Sequence, residues 1–209
     1  AAYEPTPAPS AYGVGDRCLR SAERSPVPAK RSAFSSVDVV VWSGTGNTRR
    51  VAERFSDAAR SHGASARVLT PETIGEGQPA TRDLLGLLGP THGFTTTWPV
   101  LKAALTLPGV RGTDAFVLVT RGGTRIAGKT LAGFEGTAGY LPAVVLALRG
   151  ARIRGVGAID MPLNWTVIVP SADPPNVAAI VERGDSQTDR FAASILGGET
   201  AFNGIAKLL

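Results

Sequence analysis

The sequence predicts an α/β protein built on a doubly wound, five-stranded parallel sheet with helices on both faces. Short apolar runs rich in branched residues recur along the chain, which is typical of strands that are buried on both sides. Amphipathic helical patterns separate these runs, and polar loops that contain glycine follow several of them. Strands that alternate with helices form parallel sheets with right-handed crossovers, so the pattern favours this architecture.

The first strand is predicted over residues 37–42 (VDVVVW), and it leads directly into the loop SGTGNT. A helix follows this loop, because Val51, Ala52 and Phe55 recur at helical spacing on one face. The loop is therefore a strand-to-helix turn. Its six residues are the first candidates for binding a ligand: Ser43, Gly44, Thr45, Gly46, Asn47 and Thr48.

The composition of this loop indicates a site for one phosphate monoester. A helix start leaves backbone N–H groups unpaired and carries partial positive charge. The two glycines allow the backbone to fold around an anion, and the four polar side chains add neutral hydrogen bonds. The loop lacks both the lysine of a nucleoside triphosphate site and the GxGxxG of a dinucleotide site. The alternative is a simple glycine turn before a helix that is capped by Ser43 or Thr45. A cap of this kind explains only one of the polar side chains in the loop.

The second candidate loop follows the third strand. Strands are predicted at residues 65–70 and 83–89, with a loop or short helix at 71–82 between them. The sequence PTHGFTTTWP at 90–99 then combines polar groups, a glycine and flat aromatic side chains that suit a ligand wall. Its candidate binding residues are Thr91, His92, Gly93, Phe94 and Trp98. His92 has a second interpretation, a loop histidine that hydrogen-bonds the backbone.

Two further candidate loops follow the last two strands. Thr120, Arg121, Gly122 and Gly123 end the fourth strand, and Asn164 and Trp165 lie in the loop after the fifth. Trp165 has the alternative role of covering the core. The remaining elements are predicted as a helix at 99–107, strands at 114–120 and 152–159, a largely helical segment at 126–149, a loop at 161–170, and C-terminal helices at 174–184 and 186–195.

All four candidate loops follow strands of the predicted parallel sheet. The carboxyl ends of parallel strands meet at one edge, where ligands bind at the switch in strand order. The loops at residues 43–48, 91–98, 121–124 and 161–165 are therefore expected to form one shared site.

SGTGNT after a strand resembles the phosphate loop of the flavodoxin family, and the resemblance extends over residues 37–209. It implies FMN as the cofactor and a backbone carbonyl, that of Gly93, which turns toward the flavin N5 on reduction. TRGG at 120–123 and MPLNW at 161–165 are similar to the branch of the family that is fused to, or works with, bacterial-type ferredoxins. The loop at 121–124 departs from many flavodoxins, because it has no aromatic residue.

The resemblance implies an FMN-binding electron-transfer flavoprotein that cycles through the flavin semiquinone and needs no catalytic side chain. Its partner would be a redox protein, of which an iron–sulfur protein is one candidate. Two alternatives stay open. One is an FMN-dependent quinone or porphyrinogen oxidoreductase in which His92 or Arg121 positions a substrate. The other is a structural subunit that has lost its cofactor.

The formal net charge of the 209 residues is +5. The basic residues are scattered in pairs rather than gathered in a long run, which disfavours nucleic-acid binding. If the positive charge lies near the ring edge, the redox partner is expected to present an acidic surface.

Composition also indicates the cellular compartment and the domain organisation. Cys18 is the only cysteine, so the chain forms no internal disulfide, and a cytoplasmic location is expected. No apolar run approaches the ~20 residues of a membrane span. Residues 1–36, rich in Pro, Ala and Ser, are expected to form an extended arm or linker before the domain at 37–209. Because the chain starts at Ala1, we expect a processed product or part of a longer protein.

Overall fold

The structure is a computed structural model, and it describes residues 31–74, 82–126, 129–163 and 173–203. The predicted arm as far as residue 30, and the predicted binding residues Asn164 and Trp165, lie outside the described residues. The elements in chain order are β1 (Ser36–Val41), α1 (Asn47–Ser61), β2 (Ser65–Leu69), β3 (Leu84–His92), β4 (Thr95–Thr96), α2 (Trp98–Thr106), β5 (Asp114–Ile126), β6 (Lys129–Leu131), α3 (Tyr140–Leu148), β7 (Arg152–Pro162), α4 (Pro174–Leu196) and β8 (Ala201–Phe202).

The sheet confirms the predicted fold class. Its strand order is β2-β1-β3-β5-β7-β8, and these neighbours all pair in parallel. The first five reproduce the 2-1-3-4-5 order of flavodoxin-like doubly wound sheets. Within the described residues the sheet has eight strands rather than five, because β8 extends one edge while β4 and β6 fold back on β3 and β5 as short antiparallel partners.

Apolar residues fill the space on both faces of the sheet. On one face, Phe55 of α1 and Phe191 of α4 pack around Phe116 of β5. On the other face, Val100 of α2 and Leu146 of α3 belong to the same cluster as strand residues such as Val117. The strand side chains alternate between these clusters, which is why the strands appear as uninterrupted apolar runs in the sequence.

The prediction of a largely helical segment at residues 126–149 is wrong for most of its length. β5 continues to Ile126, and the chain returns antiparallel to it as β6, with Thr124 opposite Leu131. Among the described residues of this segment, only α3, residues Tyr140–Leu148, is helical. Gly136 has a φ of 55°, a left-handed conformation that cannot occur inside an α-helix.

Other boundaries also differ from the prediction. β3 and β7 continue to His92 and Pro162, so part of the predicted loops at 91–98 and 161–165 belongs to strands. The whole of the predicted loop at 121–124 belongs to β5. The two predicted C-terminal helices form the single helix α4. Gly184 does not break this helix, and a Cβ there would lie 2.4 Å from the backbone oxygen of Asp160. The glycine therefore permits close packing of α4 on β7.

The residues just before β1 pack on the domain. The amide of Ser32 donates to the His62 oxygen at 2.9 Å, and the amide of Ala33 donates to the Leu196 oxygen at 2.8 Å. Phe34 is buried in the core beside α1 and α4. These contacts anchor the start of the sheet. Among the helices of the described ranges, none combines the length and the apolar character needed to cross a membrane.

Candidate functional site

A cavity of about 450 Å³ lies at the carboxyl edge of the sheet. This volume is in the usual range for small-molecule sites. Residues that follow β1 and residues of β3, β5 and β7 form most of its lining, so the topology brings the four predicted loop regions together. The predicted binding residues that line it are Ser43, Gly44, Thr45, Asn47, Thr48, Thr91, His92, Gly93, Phe94, Thr120, Arg121 and Gly122.

The loop after β1 turns at Gly46, which occupies the N-cap position of α1. Its φ of 92° is left-handed, so glycine adopts this turn without steric cost. The Gly46 amide donates to Ser43 Oγ at 3.2 Å and closes the turn. Gly46 itself does not line the cavity. It instead sets the angle at which α1 leaves the site.

Two side chains connect this loop to the strands that form the rest of the site. Asn47 Nδ2 donates to the oxygen of Pro162, the last residue of β7, at 3.2 Å. The hydroxyl groups of Thr48 and Thr120 form a buried hydrogen bond of 2.8 Å. The start of α1 is therefore held against β5 and β7.

The second loop is a tight hairpin between β3 and β4. Gly93 and Phe94 have φ values of 54° and 62°, so two successive residues are left-handed. The backbone oxygen of Phe94 accepts a hydrogen bond from the Thr137 amide at 2.9 Å. His92 lines the cavity and packs edge-on against Trp42, with ring centroids 6.1 Å apart.

Phe134 is a cavity residue that the sequence analysis missed. Its ring lies 5.4 Å from that of Phe94, at an interplanar angle of 60°. It belongs to the glycine-rich sequence AGFEGTAG at residues 132–139, which was predicted as helix. A phenylalanine within a glycine-rich stretch was the sequence feature that could have identified Phe134 as a cavity residue. The other lining residues outside the candidate set are Pro90, Met161, Pro162 and Leu163, the last three of which come from the predicted fourth loop.

Besides Gly46, two predicted binding residues do not line the cavity. The assignment of Trp98 is corrected, because β4 reverses the chain after Phe94 and Trp98, the first residue of α2, is not among the lining residues. Trp98 is 67% exposed and lines a second cavity, of about 320 Å³, with Pro71 and Lys102. Gly123 does not line the first cavity either, because its backbone packs beside Asp160 and Ile180.

A group of charged side chains lies in and behind the cavity wall, and its member Arg183 is partly exposed. We call this group the buried ion network: Arg121, Glu135, Asp160 and Arg183. Arg121 lines the cavity; it donates from Nε to Asp160 at 2.8 Å and from Nη1 to Glu135. Arg183 of α4 donates to the second Asp160 oxygen at 3.2 Å, and Gln187 does so at 2.8 Å. The network thus joins β5, β7, α4 and the segment that carries Phe134.

The network favours the charged forms of Asp160 and Arg121. Burial alone would raise the pKa of Asp160, but hydrogen bonds from Arg121 and Gln187 outweigh burial and lower it. Burial opposes the charge on Arg121, yet the hydrogen bonds to Asp160 and Glu135 raise its pKa. The sequence contained no signal for Glu135 or Asp160 as site residues, because only packing brings them beside Arg121.

No protein-family model matches this chain, and no curated protein sequence matches it. Among solved structures, the two-electron reduced flavodoxin of Megasphaera elsdenii matches with a TM-score of 0.50 and 22% sequence identity. This match covers 75% of the present chain and 98% of the flavodoxin.

Two further solved structures are similar. A flavodoxin from Streptococcus pneumoniae TIGR4 has a TM-score of 0.48 and 17% identity, with coverage of 76% of this chain and 98% of that one. The rubredoxin oxygen:oxidoreductase of Desulfovibrio gigas has a TM-score of 0.49 and 12% identity; the match covers 78% of this chain but 37% of the oxidoreductase. The strand order and the match to the Megasphaera elsdenii protein show that this chain has the flavodoxin-like fold.

Proposed function

We propose that this chain binds FMN in the cavity at the carboxyl edge of the sheet and serves as an electron carrier. One observation supports the proposal above all others. A neutral, hydroxyl-rich loop at the start of α1 meets a cavity with two phenylalanines in its wall, at one edge of a flavodoxin-like sheet. FMN combines the two matching parts, a phosphate monoester and a flat ring system.

The loop at residues 43–48 fits the phosphate of FMN. Its side chains are neutral, and the first turn of α1 contains no acidic residue that would repel an anion. The helix start adds backbone N–H groups and partial positive charge. Because Thr48 is buried and bonded to Thr120, we assign it to the shape of the loop. We assign direct phosphate contact to Ser43, Thr45 and Asn47.

The rest of the cavity fits the flavin ring. Phe94 and Phe134 offer apolar surfaces, and Gly93 is the residue that the flavodoxin resemblance assigns to the carbonyl contact. Thr91 Oγ1 is buried at the cavity with no hydrogen-bond partner among the described residues. Such a hydroxyl costs about 1–3 kcal/mol, which a polar atom of the ring edge would recover. Bound FMN would supply one- and two-electron transfer, while the protein controls its orientation and surroundings.

The surroundings of the two candidate substrate-positioning residues favour a carrier over an oxidoreductase. Arg121 uses its guanidinium to bond two buried carboxylates, those of Asp160 and Glu135. His92 packs against Trp42. Both side chains therefore have structural partners, and we assign neither to a substrate.

We further propose that the electron partner is an iron–sulfur protein with an acidic contact surface, as in the ferredoxin-associated branch that the sequence resembles. Arg125 and Lys129 lie on the β5–β6 hairpin, which continues from the cavity residue Gly122. An acidic bacterial-type ferredoxin should reduce the FMN-loaded protein several-fold more slowly at ~0.15 M than at ~0.01 M salt. A rate independent of salt would contradict the acidic surface.

The test of FMN binding is the visible absorption spectrum after incubation with FMN and desalting. The wild type should retain flavin bands near ~375 and ~450 nm. Gly44→Val should lose them, because Gly44 lines the cavity and the added side chain would take the space of the ligand. A Cβ at Gly44 meets no atom within 4 Å, so the variant should fold normally. Ser61→Val, at the exposed end of α1, is the control.

The possible results separate the three functions. A colourless wild type that takes up no FMN would overturn the proposal and favour the cofactor-free structural subunit. FMN retention by Gly44→Val equal to that of the wild type would remove the loop from the site. If FMN binds and a quinone is turned over with NAD(P)H, the oxidoreductase alternative would replace the carrier.

A further inference from the structure

At the mouth of the cavity, an apolar residue is exposed to solvent while the charged residue next to it is buried. Phe134 has 58% of its surface exposed, whereas Glu135 has 3%. Transfer free energies favour the opposite arrangement, because an apolar ring gains from burial and a buried unpaired carboxylate is costly. Contacts of Glu135 are therefore expected to offset the cost of this arrangement, in addition to the bonds of Thr137 to Phe94 and Thr95.

The buried ion network provides those contacts. The Glu135 carboxylate accepts a hydrogen bond from Arg121, which also bonds Asp160 at 2.8 Å. Arg183 bonds the other oxygen of Asp160 at 3.2 Å. The positive charges of Arg121 and Arg183 thus offset the negative charges of Glu135 and Asp160.

The network holds the chain on both sides of Phe134. On one side, the Gly133 amide donates to Asp160 Oδ1 at 3.0 Å. On the other side, Glu135 bonds Arg121. Phe134 lies between these two anchors, and its ring is directed to Phe94 at 5.4 Å.

We propose that Glu135 and Asp160 are positioning residues that hold Phe134 beside Phe94 as the outer wall of the ligand cavity. The identity of the ligand, FMN, rests on the proposed function, whereas the placement of Phe134 rests on the hydrogen bonds alone. Without its charge, the side chain at position 135 loses the ion pair with Arg121 that stabilises its burial. Residues 132–137 then leave the position seen here. The wall then opens and the ligand is held less tightly.

The first test needs no flavin. Glu135→Gln keeps the size of the side chain and removes its charge. Hydrogen exchange, followed by mass spectrometry on the protein without FMN, should become at least several-fold faster in residues 132–137. Asp114→Asn is the matched control, because Asp114 also pairs with an arginine, Arg152, but at the opposite end of β5. Unchanged exchange in residues 132–137 of Glu135→Gln would overturn the inference.

The second test is a double-mutant cycle on FMN affinity. Glu135→Gln and Phe134→Ala should each weaken binding by about tenfold, and the double variant should bind no more than about twofold more weakly than Phe134→Ala. This non-additivity is expected because Glu135 acts through Phe134. Additive losses of about a hundredfold would mean that Glu135 acts on the ligand by its charge, and would overturn the inference.

The two proposals can fail separately. A wild type that binds no FMN overturns the proposed function, while the exchange experiment still decides whether the network positions Phe134. If Glu135→Gln does not fold, Arg183→Met removes the partly exposed member of the network. That variant should increase exchange in residues 132–137 to a smaller extent, and no increase would overturn the inference.

Discussion

The hydroxyl groups of Thr48 and Thr120 lie 2.8 Å apart and form a hydrogen bond that is buried beneath the cavity. Thr48 belongs to the first turn of α1, and Thr120 lies in β5 where the strand reaches the cavity. The bond therefore ties the candidate phosphate loop to β5, which lies two strands away from β1 in the sheet. It explains how a loop of small, polar residues keeps a defined shape.

Replacing one partner of this bond should cost more than replacing both. Thr120→Val keeps the shape of the side chain but leaves the buried Thr48 hydroxyl without its partner, which should destabilise the protein by about 1–2 kcal/mol. Adding Thr48→Val removes the unpaired hydroxyl, so the double variant should recover part of the loss. Urea unfolding measures each free energy. A double variant that shows the full sum of the single losses would contradict this account.

Gly46→Ala should separate the shape of the loop from general stability. Gly46 and Gly63 have φ values of 92° and 84°, and an added Cβ meets no atom within 4 Å at either position. Alanine at each should therefore cost about 1 kcal/mol through backbone strain alone. Only Gly46→Ala should also weaken FMN binding, by about tenfold, because it changes the turn before α1. Equal FMN affinity in the two variants would argue against the loop as the phosphate site.

Asp185 should make stability depend on pH. Its hydrogen bonds from Arg50, at 2.6 and 3.0 Å, lower its pKa. A carboxylate with a lower pKa in the folded state stabilises the fold above its unfolded pKa of ~3.9, and this contribution is lost as pH falls through the folded pKa. Asp185→Asn should therefore be less stable than the wild type by about 1 kcal/mol at pH 7, since Arg50 is half exposed.

The difference between Asp185→Asn and the wild type should shrink as the pH falls below about 4, and it should be lost as the pH falls through the lowered pKa of Asp185 in the folded protein. Chemical unfolding at each pH measures it. Asp57→Asn serves as the control, because Asp57 pairs with Arg60 on an exposed surface and should contribute less than about 0.5 kcal/mol. A constant difference for Asp185→Asn across this pH range would show that the ion pair is not its origin.

Any side chain at position 89 should destabilise the fold unless the side chain at position 100 is made smaller. A Cβ at Gly89 would lie 2.4 Å from Val100 Cγ2, where α2 packs on β3. Gly89→Ala should cost about 1–3 kcal/mol by overpacking. Val100→Ala alone should cost about 2 kcal/mol through lost packing. The double variant should be more stable than the sum of these losses predicts, and strict additivity in urea unfolding would contradict the packing contact.

The sequence alone predicted the five main strands of the sheet and the edge at which the cavity lies. The apolar runs identified the five main strands, and SGTGNT marked the turn into α1. Because the carboxyl ends of parallel strands meet at one edge, the four loops were expected together, and residues of all four line one cavity. These features follow from local patterns and topology, which a single sequence contains.

Only the tertiary structure decided which side chains complete the site. Trp98 lies outside the cavity because the β3–β4 hairpin reverses the chain. Phe134 enters it because β6 and the irregular segment at residues 132–139 replace the predicted helix. Glu135 and Asp160 are 25 residues apart in the sequence, and each bonds Arg121. Hydrophobic periodicity describes which face of an element is buried, but the pairing of buried charges depends on how distant elements pack, and no local pattern records it.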